Sequence, residues 1–175
     1  DIIVPEPSDP WQSFSTSLFS KEFLELSKSR LNKNGIYVQW VPIYELGIND
    51  FKSFYKTFNS VFPSVVAFAN VKNNENLPIE GTTSQLILIG SENKNILDTD
   101  VSAGYNKFSK DQKFYLSALK VTSPNDLENL HIFTSDQLNG YADNAEIITD
   151  DNLKLEFSAP KQILLQETEE VLQDI

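Results

Sequence analysis

The stretch NDFKSFYKTFNSVFP constrains the fold more than any other. Phe51, Phe54, Tyr55, Phe58, Val61 and Phe62 recur at spacings of 3, 1, 3, 3 and 1, so six large apolar side chains share one helical face. The spacing predicts a helix over 50–62, capped by Asn49 and ended by Pro63. Two short runs rich in β-branched and aromatic residues flank it, IYVQWV (36–41) and SVVAFA (64–69), and each reads as a strand.

The same alternation extends in both directions. Ile2 to Val4 form a continuous apolar run, the pattern of a strand covered on both faces in a parallel sheet, and Pro5 ends it. A helix is predicted over 21–31, with Ser20 as N-cap, Glu22 in the first turn, and Phe23, Leu24, Leu26 and Leu31 on one side. Gly35 is placed to stop it in a left-handed conformation. After a polar, Gly-containing loop, QLILIG (85–90) reads as a fourth strand, close enough to the third to pair antiparallel with it. Strand, helix, strand, helix, strand, strand is an α/β pattern.

From about residue 92 the texture changes. Residues 93–109 are polar and irregular. Short helices are predicted over 110–119, over 124–131 with Ser123 as cap and Pro124 at the first position, and over 135–138. Residues 147–160 read as extended or loop, and a closing helix over 162–175 places Leu164, Thr168, Val171, Leu172 and Ile175 on one face. The expected organisation is a unit over 1–91 and, over 92–175, a polar loop and helical extension that packs on it without adding a second αβ layer.

Composition removes several classes of function. The 175 residues, 40% of them hydrophobic, suffice for one domain with a core. Twenty-five acidic against 14 basic residues give a net charge of −11 without a basic patch, which disfavours nucleic acid as a partner. With no cysteine there is no disulfide, thiolate metal site or cysteine nucleophile, and one histidine, His131, leaves little for metal or triad chemistry. Asp98 with Asp100, and Asp150 with Asp151, lack the ligand number of a calcium loop and read as solvated loops or caps. No run approaches the ~18–20 apolar residues of a membrane span and no signal segment opens the chain, so no membrane contact and a cytoplasmic location are expected. Methionine is absent, and the abrupt start in mid-pattern reads as a piece of something longer.

The opening DIIVPEPSDPW carries the candidate chemistry. Ligands of open parallel sheets bind outside the carboxyl ends of the strands, where Glu6 and Asp9 are expected. Two carboxylates there can hold an ammonium group and accept its proton. The alternative is an acidic turn stiffened by Pro5, Pro7 and Pro10, with Asp9 making a local turn bond. Trp11 and Trp40 can wall a channel for an alkyl amine or belong to the core. Tyr44 and Glu45 follow the second strand and are expected to face the same crevice. No Gly-rich loop with G-x-G spacing is present, so this chain alone is not expected to bind a nucleoside cofactor.

DIIVPEPSDP resembles the DVII-x-D-S-S-D-P stretch of the spermidine synthases, the polyamine aminopropyltransferases. The similarity runs on through LFSKEF, LNKNG, the strand with Gln39 and Trp40, and SVFPSVVAFA. EPSDPW is nearer still to the EPSNPW of the fused, membrane-anchored relatives, whose carboxyl-terminal end TDDNLKLEFSAP also resembles. The resemblance implies the carboxyl-terminal half of a Rossmann-like sheet, of the S-adenosylmethionine-dependent transferase type, with a small helical extension. It implies transfer of an aminopropyl group from decarboxylated S-adenosylmethionine, as co-substrate in the full-length parent, to an amine such as putrescine. By position Glu6 is then the base, Asp9 the amine ligand, and Gln39 either a substrate contact or a half-buried strand residue bonded to backbone. Glu6 replaces an aspartate and Pro7 a serine. The implied partner is a small amine or polyamine, and the first strand is expected to pair with the missing amino-terminal half or another copy. The alternative location that the resemblance implies is the soluble domain of a membrane-anchored parent. Two other functions fit the scaffold: a small-molecule methyltransferase using S-adenosylmethionine, and a non-catalytic polyamine-binding module.

Overall fold

The computed structural model describes residues 1–68, 85–94, 100–136, 138 and 140–165, apart from the side chains of His131 and Ile132. The polar loop over 70–84, Asp98 and the last ten residues of the expected closing helix lie outside them. Among the described residues the chain is a mixed α/β fold built on a five-stranded sheet. Its strands are β1 (Ile2–Ile3), β2 (Ile36–Pro42), β3 (Ser64–Phe68), β4 (Gln85–Ser91) and β5 (His131–Thr134), in the spatial order β1-β2-β4-β3-β5. β1 runs parallel to β2, while β4 is antiparallel to both β2 and β3, and β5 is antiparallel to β3.

The helices are α1 (Ser13–Thr16), α2 (Lys21–Arg30), α3 (Ile48–Val61), α4 (Val101–Asn106), α5 (Lys110–Ala118), α6 (Pro124–Glu128) and α7 (Lys154–Leu165). Helix α3 supplies the centre of the core, as its spacing predicts. Phe51, Phe54, Phe58 and Phe62 are fully buried, and the rings of Phe58 and Phe62 meet Tyr37 of β2 with centroids 5.8 and 5.2 Å apart. The strands answer with alternate residues. Tyr37, Gln39 and Val41, Leu86 and Leu88, and Val65 and Ala67 are all buried, while β3 departs from the alternation in burying Val66 as well. Val38, Trp40 and Ile89 stay half-buried and Ile87 is exposed, so the sheet has one face in the core and one more open.

Several local expectations change. Helix α3 begins at Ile48 with Gly47 as N-cap, so Asn49 lies in the first turn and does not cap it. A Cβ at Gly47 would overlap the Gln162 carboxamide of α7, the end of a flexible side chain that would have to shift. Helix α2 starts as expected, its Ser20 side chain accepting from the Phe23 amide at 3.2 Å. It buries Leu24 and Ser27, however, and leaves Leu26 exposed. Asn34 (φ 65°), not Gly35, takes the left-handed conformation after it. Gly35 is required by space instead: a Cβ there would come within 2.5 Å of the Asp1 carboxylate and 2.9 Å of the Asn32 carbonyl.

The expectation that β1 is covered on both faces is not met. It is an edge strand among the described residues, and Ile2 and Val4 are 61% and 63% exposed. The second half is also less uniformly helical than its texture implies. His131 opens strand β5 where a helix end was expected, and of the expected helix over 135–138 the described residues 135 and 136 form a turn. Asp100 caps an additional helix, α4, by accepting from the Ala103 amide at 2.8 Å. Residues 154–160 are helical, not extended, although Pro160 then lies inside α7. Leu155 and Ala159, four positions apart, are both fully buried, and this burial outweighs the backbone hydrogen bond that proline forfeits.

Helix α7 and the chain before it are tied to α3 by polar contacts. Thr57 Oγ1 accepts from the Ile148 amide (2.8 Å), and Lys56 Nζ donates to the carbonyls of Asp143 (2.7 Å) and Ala145 (2.9 Å). Ser158 donates its hydroxyl to Asp50 Oδ1 at 2.6 Å, while Oδ2 is buried without a partner. Asp50 is only 1% exposed, and burial pushes its carboxyl above the ordinary aspartate range although Ser158 and Lys154 pull it down. A raised folded-state pKa means that the stability this group contributes is complete below its unfolded pKa and is lost as pH rises through the folded value. Asp50→Asn keeps an acceptor for Ser158 and removes the buried charge. It is expected to stabilise the protein by about 1 kcal/mol at neutral pH and by less in acid. Urea denaturation of both forms across pH checks this; an equal effect at every pH would refute it.

Candidate functional site

Two strands that run in the same direction, β1 and β2, release the chain at the same end of the sheet, and the candidate residues sit in the segments that follow them. After β1 the prolines dictate the path. Pro7 and Pro10 are buried, the Pro10 carbonyl accepts from Thr16 Oγ1 at 2.7 Å, and the loop is thereby tied to α1. Asp9 takes a left-handed conformation (φ 50°), tolerated by aspartate better than by most residues. Its backbone carbonyl, accepting from the Gln12 amide at 2.9 Å, closes the turn. Its carboxylate is left for the site, and the expected side-chain turn bond is not what holds it.

After β2 a single 3₁₀ turn, Ile43–Glu45, is pinned between buried Ile43 and buried Leu46, whose amide donates to the Ile43 carbonyl at 3.2 Å. The turn delivers Tyr44 and Glu45 to the Asp9 loop. Burial first, then the Asp9 charge, push the half-buried Glu45 carboxyl above its usual range, while hydrogen bonding from Tyr44 and Trp11 pulls it down. The Tyr44 hydroxyl is pushed up by burial and by the charges of Glu45 and Asp9. Glu45 Oε2 is shut off from solvent and has no hydrogen-bond partner. Trp40 lies beside Tyr44, with ring centroids 6.4 Å apart, and its indole donates to Gln85 Oε1 at 3.2 Å.

The structure therefore gathers Asp9, Trp11, Tyr44 and Glu45, with Trp40 against Tyr44. It does not bring in the other two. Glu6 is exposed and makes no hydrogen bond or ion pair among the described residues. Gln39 is 0% exposed; its Oε1 accepts from the Tyr37 hydroxyl at 2.9 Å and its Nε2 donates to the Leu18 carbonyl at 3.4 Å. The alternation of β2 explains this, since neighbours Gln39 and Trp40 point to opposite faces of the sheet and cannot share a crevice on one of them. Glu45 is the acid that the sequence motif does not single out. Its only signal in the sequence is its position just beyond the second strand.

The arrangement offers anionic oxygens framed by aromatic rings, a chemistry that suits a cation carrying N–H donors and an alkyl chain. No family model matches the chain, and no curated protein does. Among solved structures it is similar to the crystal structure of a probable spermidine synthase from Corynebacterium glutamicum ATCC 13032, with a TM-score of 0.48 and 17% sequence identity. That similarity covers 86% of this chain and 47% of the other, so the chain spans less than half the length of that structure. No helix among the described residues is long and apolar enough to cross a membrane.

Proposed function

We propose that the chain is part of a spermidine-synthase-like domain on a Rossmann-like scaffold. In a full-length protein it would transfer an aminopropyl group from decarboxylated S-adenosylmethionine to an amine such as putrescine. The observation that carries the reading is the placement of Asp9 and Trp11, after β1, and of Tyr44 and Glu45, after β2, beyond the carboxyl ends of these parallel strands. In this reading Asp9 holds the ammonium end of the acceptor amine and Trp11 and Trp40 line its alkyl chain. Glu6, at the base position of the motif, accepts the proton as the amine nitrogen attacks the carbon next to the donor's sulfonium and the C–S bond breaks. The reading also has the open side of β1 pair with a further strand, from a preceding segment or a second copy.

The exposure of Glu6 favours a second reading, a polyamine-binding module that keeps the scaffold without turnover. Both readings require amine binding by this chain, so calorimetry with 1,4-diaminobutane tests them together. Asp9→Ala is expected to weaken binding by roughly tenfold or more, the loss of a charge-assisted hydrogen bond. Equal affinity of the variant, or no binding by the unsubstituted chain, would remove the amine site. Turnover of the full-length protein with the decarboxylated donor then separates enzyme from binding module.

A further inference from the structure

We infer that Gln85, the first residue of β4, is a positioning residue of this site. Its side chain holds the Trp40 indole as the wall along which the acceptor's alkyl chain lies, and so sets which length of diamine fits. The inference rests on the amine reading above and assigns a role to a residue far outside the EPSDP motif.

The sheet topology brings Gln85 to the site. β2 leaves the sheet at Pro42, and antiparallel β4 enters it at the same end, with Pro42 and Gln85 as register partners. Gln85 therefore stands at the carboxyl ends of β1 and β2, the edge from which the Asp9 loop and the Tyr44 turn depart. Trp40 faces Ile87 across the ladder, so Gln85, two residues before Ile87, is its diagonal neighbour on the same side of the sheet. Leu86 and Leu88 turn the other way, into the core.

Little else holds the ring. Trp40 is half-buried, and its neighbours Ile87 and Tyr44 are 41% and 42% exposed, so the core does not grip the indole. Among the described residues it makes one ring contact, the edge-on approach to Tyr44 with centroids 6.4 Å apart. It makes one side-chain hydrogen bond, from Nε1 to Gln85 Oε1 at 3.2 Å. The indole N–H is a donor only, and Gln85 supplies its acceptor from 45 positions away in the chain. Tyr44 limits the ring on one side and the bond fixes its far edge. Without the bond the side chain is free to exchange between staggered rotamers. A wall that moves must be ordered anew by each ligand, which weakens binding and blurs the difference between alkyl chains of unequal length.

Calorimetry of the chain with 1,3-diaminopropane, 1,4-diaminobutane and 1,5-diaminopentane gives the ratio of affinities between the best and the poorest of the three. Gln85→Leu keeps the bulk, loses the acceptor and, at an exposed position, spares the core. It is expected to shrink that ratio by roughly threefold or more and to weaken the best diamine by a similar factor. Gln85→Glu keeps the acceptor, and its added charge acts alike on three dications, so the ratio should stay within about twofold of the unsubstituted chain. A second readout does not depend on amine: the Trp40 indole ¹H–¹⁵N signal, assigned by its loss in Trp40→Phe, should move to lower proton shift in Gln85→Leu and hold its place in Gln85→Glu. A signal that does not move in Gln85→Leu overturns the bond and the role. A signal that moves while affinity and ratio stay unchanged makes the bond a tie between strand ends, and overturns the inference while leaving the amine site standing. Equal affinity of the unsubstituted chain for all three diamines does the same. Failure of the unsubstituted chain to bind any of them, with the signal moving as expected, would instead end the amine reading and this role with it.

Discussion

Replacing Phe58 with alanine is expected to lower stability by about 3–5 kcal/mol, read from urea denaturation. Phe58 is fully buried, and its ring meets three others: Tyr37 (5.8 Å between centroids), Phe54 (5.8 Å) and Phe62 (5.0 Å). These rings join α3 to β2, and alanine would leave a cavity that the rigid strand beneath cannot collapse to fill. For a chain of this size the loss corresponds to a fall in melting temperature on the order of 10 °C. A loss below about 1 kcal/mol would mean that the aromatic cluster is not the centre of the core.

Gly90→Ala is expected to destabilise by roughly 1–3 kcal/mol for the opposite reason, one methyl too many. Gly90 lies on β4, paired with Tyr37 on one side and Val65 on the other, and the Phe62 ring rests on its backbone. A Cβ there would come 2.5 Å from Phe62 Cγ and 2.8 Å from Phe58 Cε1. Phe62 is stacked on Tyr37 at 5.2 Å and cannot swing away without breaking that contact. Its own position is fixed by the last turn of α3, where its amide donates to the Phe58 carbonyl at 2.9 Å. Combining Gly90→Ala with Phe62→Leu should therefore be less damaging than the sum of the two single changes. A double-mutant cycle measures that coupling, and strict additivity would show that the added methyl finds room elsewhere.

The two changes also show why part of this fold is visible in the residue pattern. The spacing of the α3 aromatics allows only one helical face, and the runs on either side alternate in a way that only strands can use. Those elements stand where periodicity puts them, with β3 and β4 paired antiparallel. The failures have different causes. Pro160 reads as a boundary, yet the burial of Leu155 and Ala159 carries α7 through it. His131 follows a well-capped short helix, and the strand that it opens exists because β3 has an edge to pair with. Pairing of that kind depends on a partner distant in sequence, and no local pattern around His131 announces it.

The candidate site divides in the same way. The sequence alone determines that acidic and aromatic residues follow the ends of two strands, because proline, charge and apolar runs are local properties. Only the tertiary structure decides which of these residues meet. It buries Gln39 with Tyr37, leaves Glu6 exposed, and sets Glu45 where the Asp9 charge acts on it. The physical reason is the register and direction of β1 beside β2. Parallel pairing puts the two exits side by side, and the two-residue alternation of β2 then turns Trp40 away from the core that Gln39 faces.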